Sequence, residues 1–254
     1  NKNKKERDQK VISGGGYGWE ALITWYLNLG LIGRRTVAFK HKKHLIPKPI
    51  ENSITANYQN VPTNSESDLL VVTFPDKTDY YSLDKKNINI KDKNDKIIKT
   101  EKRSGNYNYK KIINSLTRRD FRELEVGIIQ CKTNWNDTAQ NPMLWDILYT
   151  SNEYSHKFNI GLNGYTINDL KKFTYSFVTV PSNNTGYKPD STAVVRVRNL
   201  SGGNYWGQKT KRGVANSIKE IFRKNFRSGD NFGIRTSFER EKVKFNDKYS
   251  YFKI

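Results

Sequence analysis

The sequence predicts an α+β (α/β-like) fold, a mixed central β-sheet flanked by helices. Three β-prone apolar runs, at residues 68–74, 123–132 and 173–180, supply strands, and segments of helical length at 19–31, 138–150 and 213–226 supply helices. The two kinds interleave along the chain, which favours a sheet covered by helices. With 254 residues and 35% hydrophobic content there is enough apolar side chain for one substantial core, so 1–254 reads as a single domain.

Residues 1–16, charged and then glycine-rich, are expected to be a flexible N-terminal segment; the apolar, aromatic helix at 19–31 follows with Glu20 in its first turn. Residues 34–66 carry Arg34, Arg35, Lys40, Lys42 and Lys43 with little periodicity and read as short strands and loops. Asp68-Leu-Leu-Val-Val-Thr-Phe74 is a strand, and Pro75-Asp-Lys-Thr78 has the chemistry of a turn into a second strand at 79–83, a hairpin. Residues 84–122 form a basic insertion, whose part at 84–111, with weak alternation of Ile88, Ile90, Ile97 and Ile98, reads as a ribbon or mobile loop. Asp137 caps the helix at 138–150, where Met143, Leu144, Ile147 and Leu148 form the apolar side. Residues 173–180 and 192–198 read as strands, and 213–226 as a basic amphipathic helix.

Lys and Arg number 45 against 25 Asp and Glu, a net charge of +20, and such an excess favours a polyanionic partner because each neutralised phosphate releases condensed counterions. Aromatic residues interleave with these cations, as in Tyr107-Asn-Tyr-Lys-Lys111 and Asn204-Tyr-Trp-Gly-Gln-Lys209, which suits base stacking and phosphate contact, so nucleic acid is the expected partner. No apolar run reaches the ~18 residues of a membrane span, and the opening residues lack the apolar stretch of a signal peptide; the expected compartment is cytoplasmic, with no membrane partner. A single cysteine, Cys131, excludes an intramolecular disulfide, and three histidines (His41, His44, His156) argue against a Cys/His zinc cluster or a histidine-based nuclease.

The stretch Glu123-Leu-Glu-Val-Gly-Ile-Ile-Gln-Cys-Lys132 carries the chemistry. Strand side chains alternate, so Gln130 and Lys132 share a face with Val126 and Ile128, while Gly127, Ile129 and Cys131 point the other way. A lysine at the end of a buried strand costs desolvation free energy unless an anion compensates, and a metal-bound phosphate is a natural one. Hydrolysing a phosphodiester needs a metal ion held by hard oxygens with a cation nearby to hold water or phosphate.

Asp68 opening one strand, with Gln130-Cys131-Lys132 closing the next, resembles the PD-(D/E)xK nuclease superfamily, which includes most restriction endonucleases. Its members carry an aspartate at one strand and a D/E-x-K triplet on the next. The sequence departs from that pattern twice: Gln130 replaces the acidic member of the triplet, as in some restriction enzymes, and Ser67 stands where the proline would be, the literal Pro75-Asp76 pair falling in the expected turn. By element order the resemblance spans residues 17–180.

The resemblance implies a restriction-endonuclease-like fold and a type II restriction endonuclease: Mg2+-dependent hydrolysis of double-stranded DNA at a short specific sequence, with no small-molecule cofactor, by a homodimer matching the symmetry of duplex targets. It implies metal-ligand roles for Asp68, Gln130 and the Cys131 backbone carbonyl, a catalytic role for Lys132 and an assisting one for Glu20; Glu125, on the opposite strand face, is the alternative acid. Asn134, Trp135, Asn136 and Gln140 follow the triplet and suit DNA contact, since Asn and Gln read adenine edges and Trp stacks. Arg118, Arg119, Arg196, Arg198, Lys209, Lys211 and Arg212 are the candidate cationic contacts, which makes 181–254 the expected DNA-contacting C-terminal part, with Arg196 and Arg198 on one strand face. A structure-directed repair or junction-resolving nuclease, and a non-catalytic nucleic-acid-binding protein, are the alternative readings.

Overall fold

Strand β4 (Leu69–Thr73) is buried at every residue, as a central strand covered on both faces must be. It pairs antiparallel with β1 (Thr36–Lys40) on one side and with β5 (Glu125–Lys132) on the other; β5 pairs parallel with β7 (Lys172–Thr179), and β7 parallel with β8 (Tyr205–Trp206). The sheet order is β1-β4-β5-β7-β8, a mixed sheet, and the fold is mixed α and β. A smaller antiparallel sheet joins β2 (Ala56–Tyr58) to β3 (Val61–Pro62) and β6 (Phe158–Ile160). The computed structural model describes residues 9–42, 44–58, 61–62, 67–132, 158–179, 188–207, 220, 223 and 242–244; the helix expected at 138–150 lies outside them, as does nearly all of the one at 213–226.

Helix α1 (Gln9–Gly30) covers one face of the large sheet. Ile23, Leu27 and the following Leu31 recur every four residues and pack on Ala38, Leu69, Val71, Ile129, Cys131 and Val178. On the other face, Leu70, Val72, Val126 and Ile128 meet Ile50 of α2 (Lys48–Ser53), the adjacent Ile54, and Val194 and Val197 of α5 (Thr192–Ser201). Helices thus flank the sheet on both sides. No described helix is long and apolar enough to cross a membrane.

Three expectations are corrected. Residues 9–16 belong to α1 in spite of their glycines. No second strand follows β4: residues 79–83 enter a short helix, α3 (Thr78–Tyr81), because Tyr80 stacks on the buried Phe74 at a ring separation of 5.3 Å and Arg119 holds Asp79 at 2.7 Å. Residues 192–198 are helical, with Ala193, Val194, Val197, Leu200 and Ser201 buried at helical spacing and Gly202 closing α5 in the left-handed conformation at φ 59°. Of the two forms expected for the stretch after residue 84, residues 84–108 take the ribbon: bridges join Lys91 to Ile97 and Glu101 to Tyr107, and Ile88, Ile90 and Ile98 are buried against Ile112 and Leu116 of α4 (Tyr109–Arg119).

Candidate functional site

Because β4 and β5 run antiparallel with Leu69 opposite Ile129, the entry to β4 and the exit from β5 lie at one end of the sheet. Asp68 is a bend residue just before β4, held by a hydrogen bond from the His41 backbone N–H to its carbonyl at 2.9 Å. Beside it, His41 Nδ1 and Ser67 Oγ are hydrogen-bonded. The Asp68 Oδ2 accepts the Cys131 backbone N–H at 2.6 Å, standing where one more residue of β4 would otherwise pair. In an antiparallel ladder the N–H and C=O of one residue face the same neighbour, so the Cys131 carbonyl also faces this edge, beyond the last β4 pair.

Burial pushes the Asp68 carboxyl up to about 6, with the Glu20 charge adding to the rise; the Cys131 hydrogen bond and the Lys132 and Lys40 ammonium groups pull in the opposite direction. Lys132 and Glu20 are therefore both within electrostatic reach of Asp68. Glu20, on α1, forms an ion pair with Lys40 at 2.8 Å, and the Lys40 ammonium lies 3.2 Å from the centroid of the Tyr17 ring. Two acids and two lysines, drawn from α1, β1, the entry to β4 and the end of β5, cancel in formal charge.

Gln130 is 4% exposed, and its Oε1 accepts from the Tyr175 hydroxyl at 3.5 Å, a long contact that leaves the amide oxygen weakly engaged. The Cys131 side chain lies on the α1 face, where burial pushes the thiol well above its usual range, followed by the Asp68 and Glu20 charges; the sulfur is thus a neutral packing atom and only the backbone carbonyl is available as a ligand. Glu125 opens β5 opposite Thr73, at the far end of the strand, buried and 3.9 Å from Lys171, so it does not join Asp68.

No protein-family model matches the chain, and neither a curated protein nor a solved structure matches it.

Among the described residues no three His, Cys, Asp or Glu side chains are grouped to hold a metal. The donors present are the carboxylates of Asp68 and Glu20, the Cys131 carbonyl and the Gln130 amide. That set fits Mg2+, which takes one or two carboxylates and keeps several waters, and it does not fit a soft-ligand metal. The desolvated Asp68 carboxyl is also a group whose ionised form a divalent cation would favour.

Other expected contacts lie elsewhere. Arg119, at the end of α4, is bound to Asp79 at 2.7 Å and to Asp120 at 2.7 Å, so its charge is spent within the protein; Arg118 precedes it at the same helix end, away from Asp68. Arg196 and Arg198 sit on helix α5, where residues two apart point about 200° from each other, so they do not share a face. Asn134, Trp135, Asn136, Gln140, Lys209, Lys211 and Arg212 lie outside the described residues. Sequence reasoning missed Lys40 and Tyr17 as parts of the site; alternation along β1 puts Lys40 on the face of Ala38, but its partner on α1 depends on tertiary packing.

Proposed function

We propose that the chain is a type II restriction endonuclease with a restriction-endonuclease-like fold, hydrolysing phosphodiester bonds of double-stranded DNA at a short specific sequence with Mg2+, as a homodimer. The observation that carries the reading is the Asp68–Cys131 hydrogen bond, which sets a strand-end carboxylate against the middle residue of Gln130-Cys131-Lys132 on the adjacent strand. Asp68, Gln130 and the Cys131 carbonyl would hold the cation, with Glu20 assisting from α1. A bound Mg2+ supplies Lewis acidity toward the scissile phosphate and lowers the pKa of its water. Lys132, half-buried beside Asp68, orients the attacking water and balances the negative charge that grows on the phosphoryl oxygens. The net charge of +20 supplies the long-range attraction to duplex DNA.

Digestion of a long duplex of known sequence with Mg2+, followed by mapping of the ends, tests the reading. Discrete fragments with one common end sequence are expected. Cutting confined to branched substrates points to a structure-directed nuclease, and salt-sensitive binding without scission points to a non-catalytic binder.

A further inference from the structure

Lys40 ends β1 opposite Leu69, at the rim of the apolar face that α1 covers. Its ammonium is held from three directions: Glu20 Oε2 at 2.8 Å, the Tyr17 ring with its centroid at 3.2 Å, and the Tyr17 carbonyl at 3.4 Å. A carboxylate, a carbonyl and a π-face are all sources of negative potential, so this is a cation-binding environment filled by a side chain, and the Lys40 side chain is 17% exposed there. The ammonium also acts on Asp68, where its charge opposes that of Glu20. Take it away, and Glu20 and Asp68 are like charges that act on each other, with Lys132 still lowering the cost at Asp68.

We propose that Lys40 is the internal counter-cation of this site, holding the Glu20 carboxylate when no divalent cation is bound and yielding it when one binds. The inference rests on the reading of Asp68 and Glu20 as cation-holding carboxylates. An entering Mg2+ gains the hard oxygens of Glu20 only by separating them from Lys40, so the pair lowers cation affinity by its own strength. In return it spares the empty site the repulsion between its two acids. A pair that merely pins α1 to β1 behaves differently: losing it lowers thermal stability and leaves cation affinity unchanged.

Titration of the full chain with Mn2+, following free Mn2+ by electron paramagnetic resonance, separates these roles without reference to cleavage. Lys40→Met should bind Mn2+ more tightly by roughly threefold to tenfold, the worth of a partly buried ion pair. Lys40→Arg should stay near the wild type, and the gain should vanish when Lys40→Met is placed in a Glu20→Gln background. Lys40→Gln repeats the measurement should the methionine variant not fold. Equal or weaker Mn2+ binding by a folded Lys40→Met or Lys40→Gln protein, with the wild type binding normally, overturns the counter-cation role alone. Absence of Mn2+ binding in every form overturns it together with the metal-site reading.

Discussion

The Asp68 carboxylate accepts the Cys131 backbone N–H at 2.6 Å, so a side chain closes the sheet where β4 begins. The arrangement holds an acid with a carboxyl pushed up to about 6 at the strand edge, and a protein tolerates such a group at neutral pH only at some cost in stability.

That cost is measurable. The folded chain binds the Asp68 proton more tightly than the unfolded chain, so the contribution to stability is fully present below pH 3.8 and is lost as pH rises through about 6. The shift is worth up to about 3 kcal/mol. Asp68→Asn keeps an acceptor for the Cys131 N–H and removes the titration. Its Tm should exceed the wild-type Tm at pH 7.5, the gap should close toward pH 4, and cleavage should disappear; melting curves across that range check it, and parallel curves contradict it.

Asp120 marks the opposite electrostatic case. It is 3% exposed, and burial alone would raise its carboxyl, but hydrogen bonds from Arg119 and Lys77 more than offset that and hold it below its usual range. A depressed carboxyl contributes stability above pH 3.8 that is lost as pH falls through its folded value. Asp120→Asn should cost about 1–3 kcal/mol at pH 7, less than a fully buried pair because Arg119 and Lys77 are partly solvated. The deficit in Tm should shrink in acid, and Mn2+ affinity should not change.

Two glycines should respond in opposite directions. At Gly18, in α1, an added Cβ meets nothing within 4 Å, so Gly18→Ala should stabilise by about 0.5–1 kcal/mol. At Gly207 the backbone has φ +140° and a Cβ would lie 2.2 Å from Cγ2 of Thr179, the residue that pairs with Lys132. Gly207→Ala should destabilise by about 2 kcal/mol or more. Chemical denaturation of both variants gives the two signs.

The apolar runs made the central sheet legible: residues 68–74, 123–132 and 173–180 are strands β4, β5 and β7 to within two residues at each end. The same propensity rule failed at 192–198, where valines on a helix mimic a strand and the decisive signal was Gly202. Residues 79–83 failed because two tyrosines look β-prone until Phe74 and Arg119 are in place around them. At the candidate site, Asp68 and Gln130-Cys131-Lys132 were legible as strand-end chemistry. The pairing of Lys40 with Glu20 was not, since it joins β1 to α1 across twenty residues by packing alone.

Lys132, beside Asp68 at the end of β5, is the residue proposed to do chemistry on a phosphodiester. Supercoiled plasmid incubated with Mg2+ and equal amounts of wild-type or Lys132→Ala protein, with duplex binding measured in parallel, tests it most directly. Cutting by the wild type, retained duplex binding by the variant, and a rate of cutting reduced at least about a hundredfold are expected, as for loss of a group stabilising transition-state charge. Cutting by Lys132→Ala at the wild-type rate would contradict it.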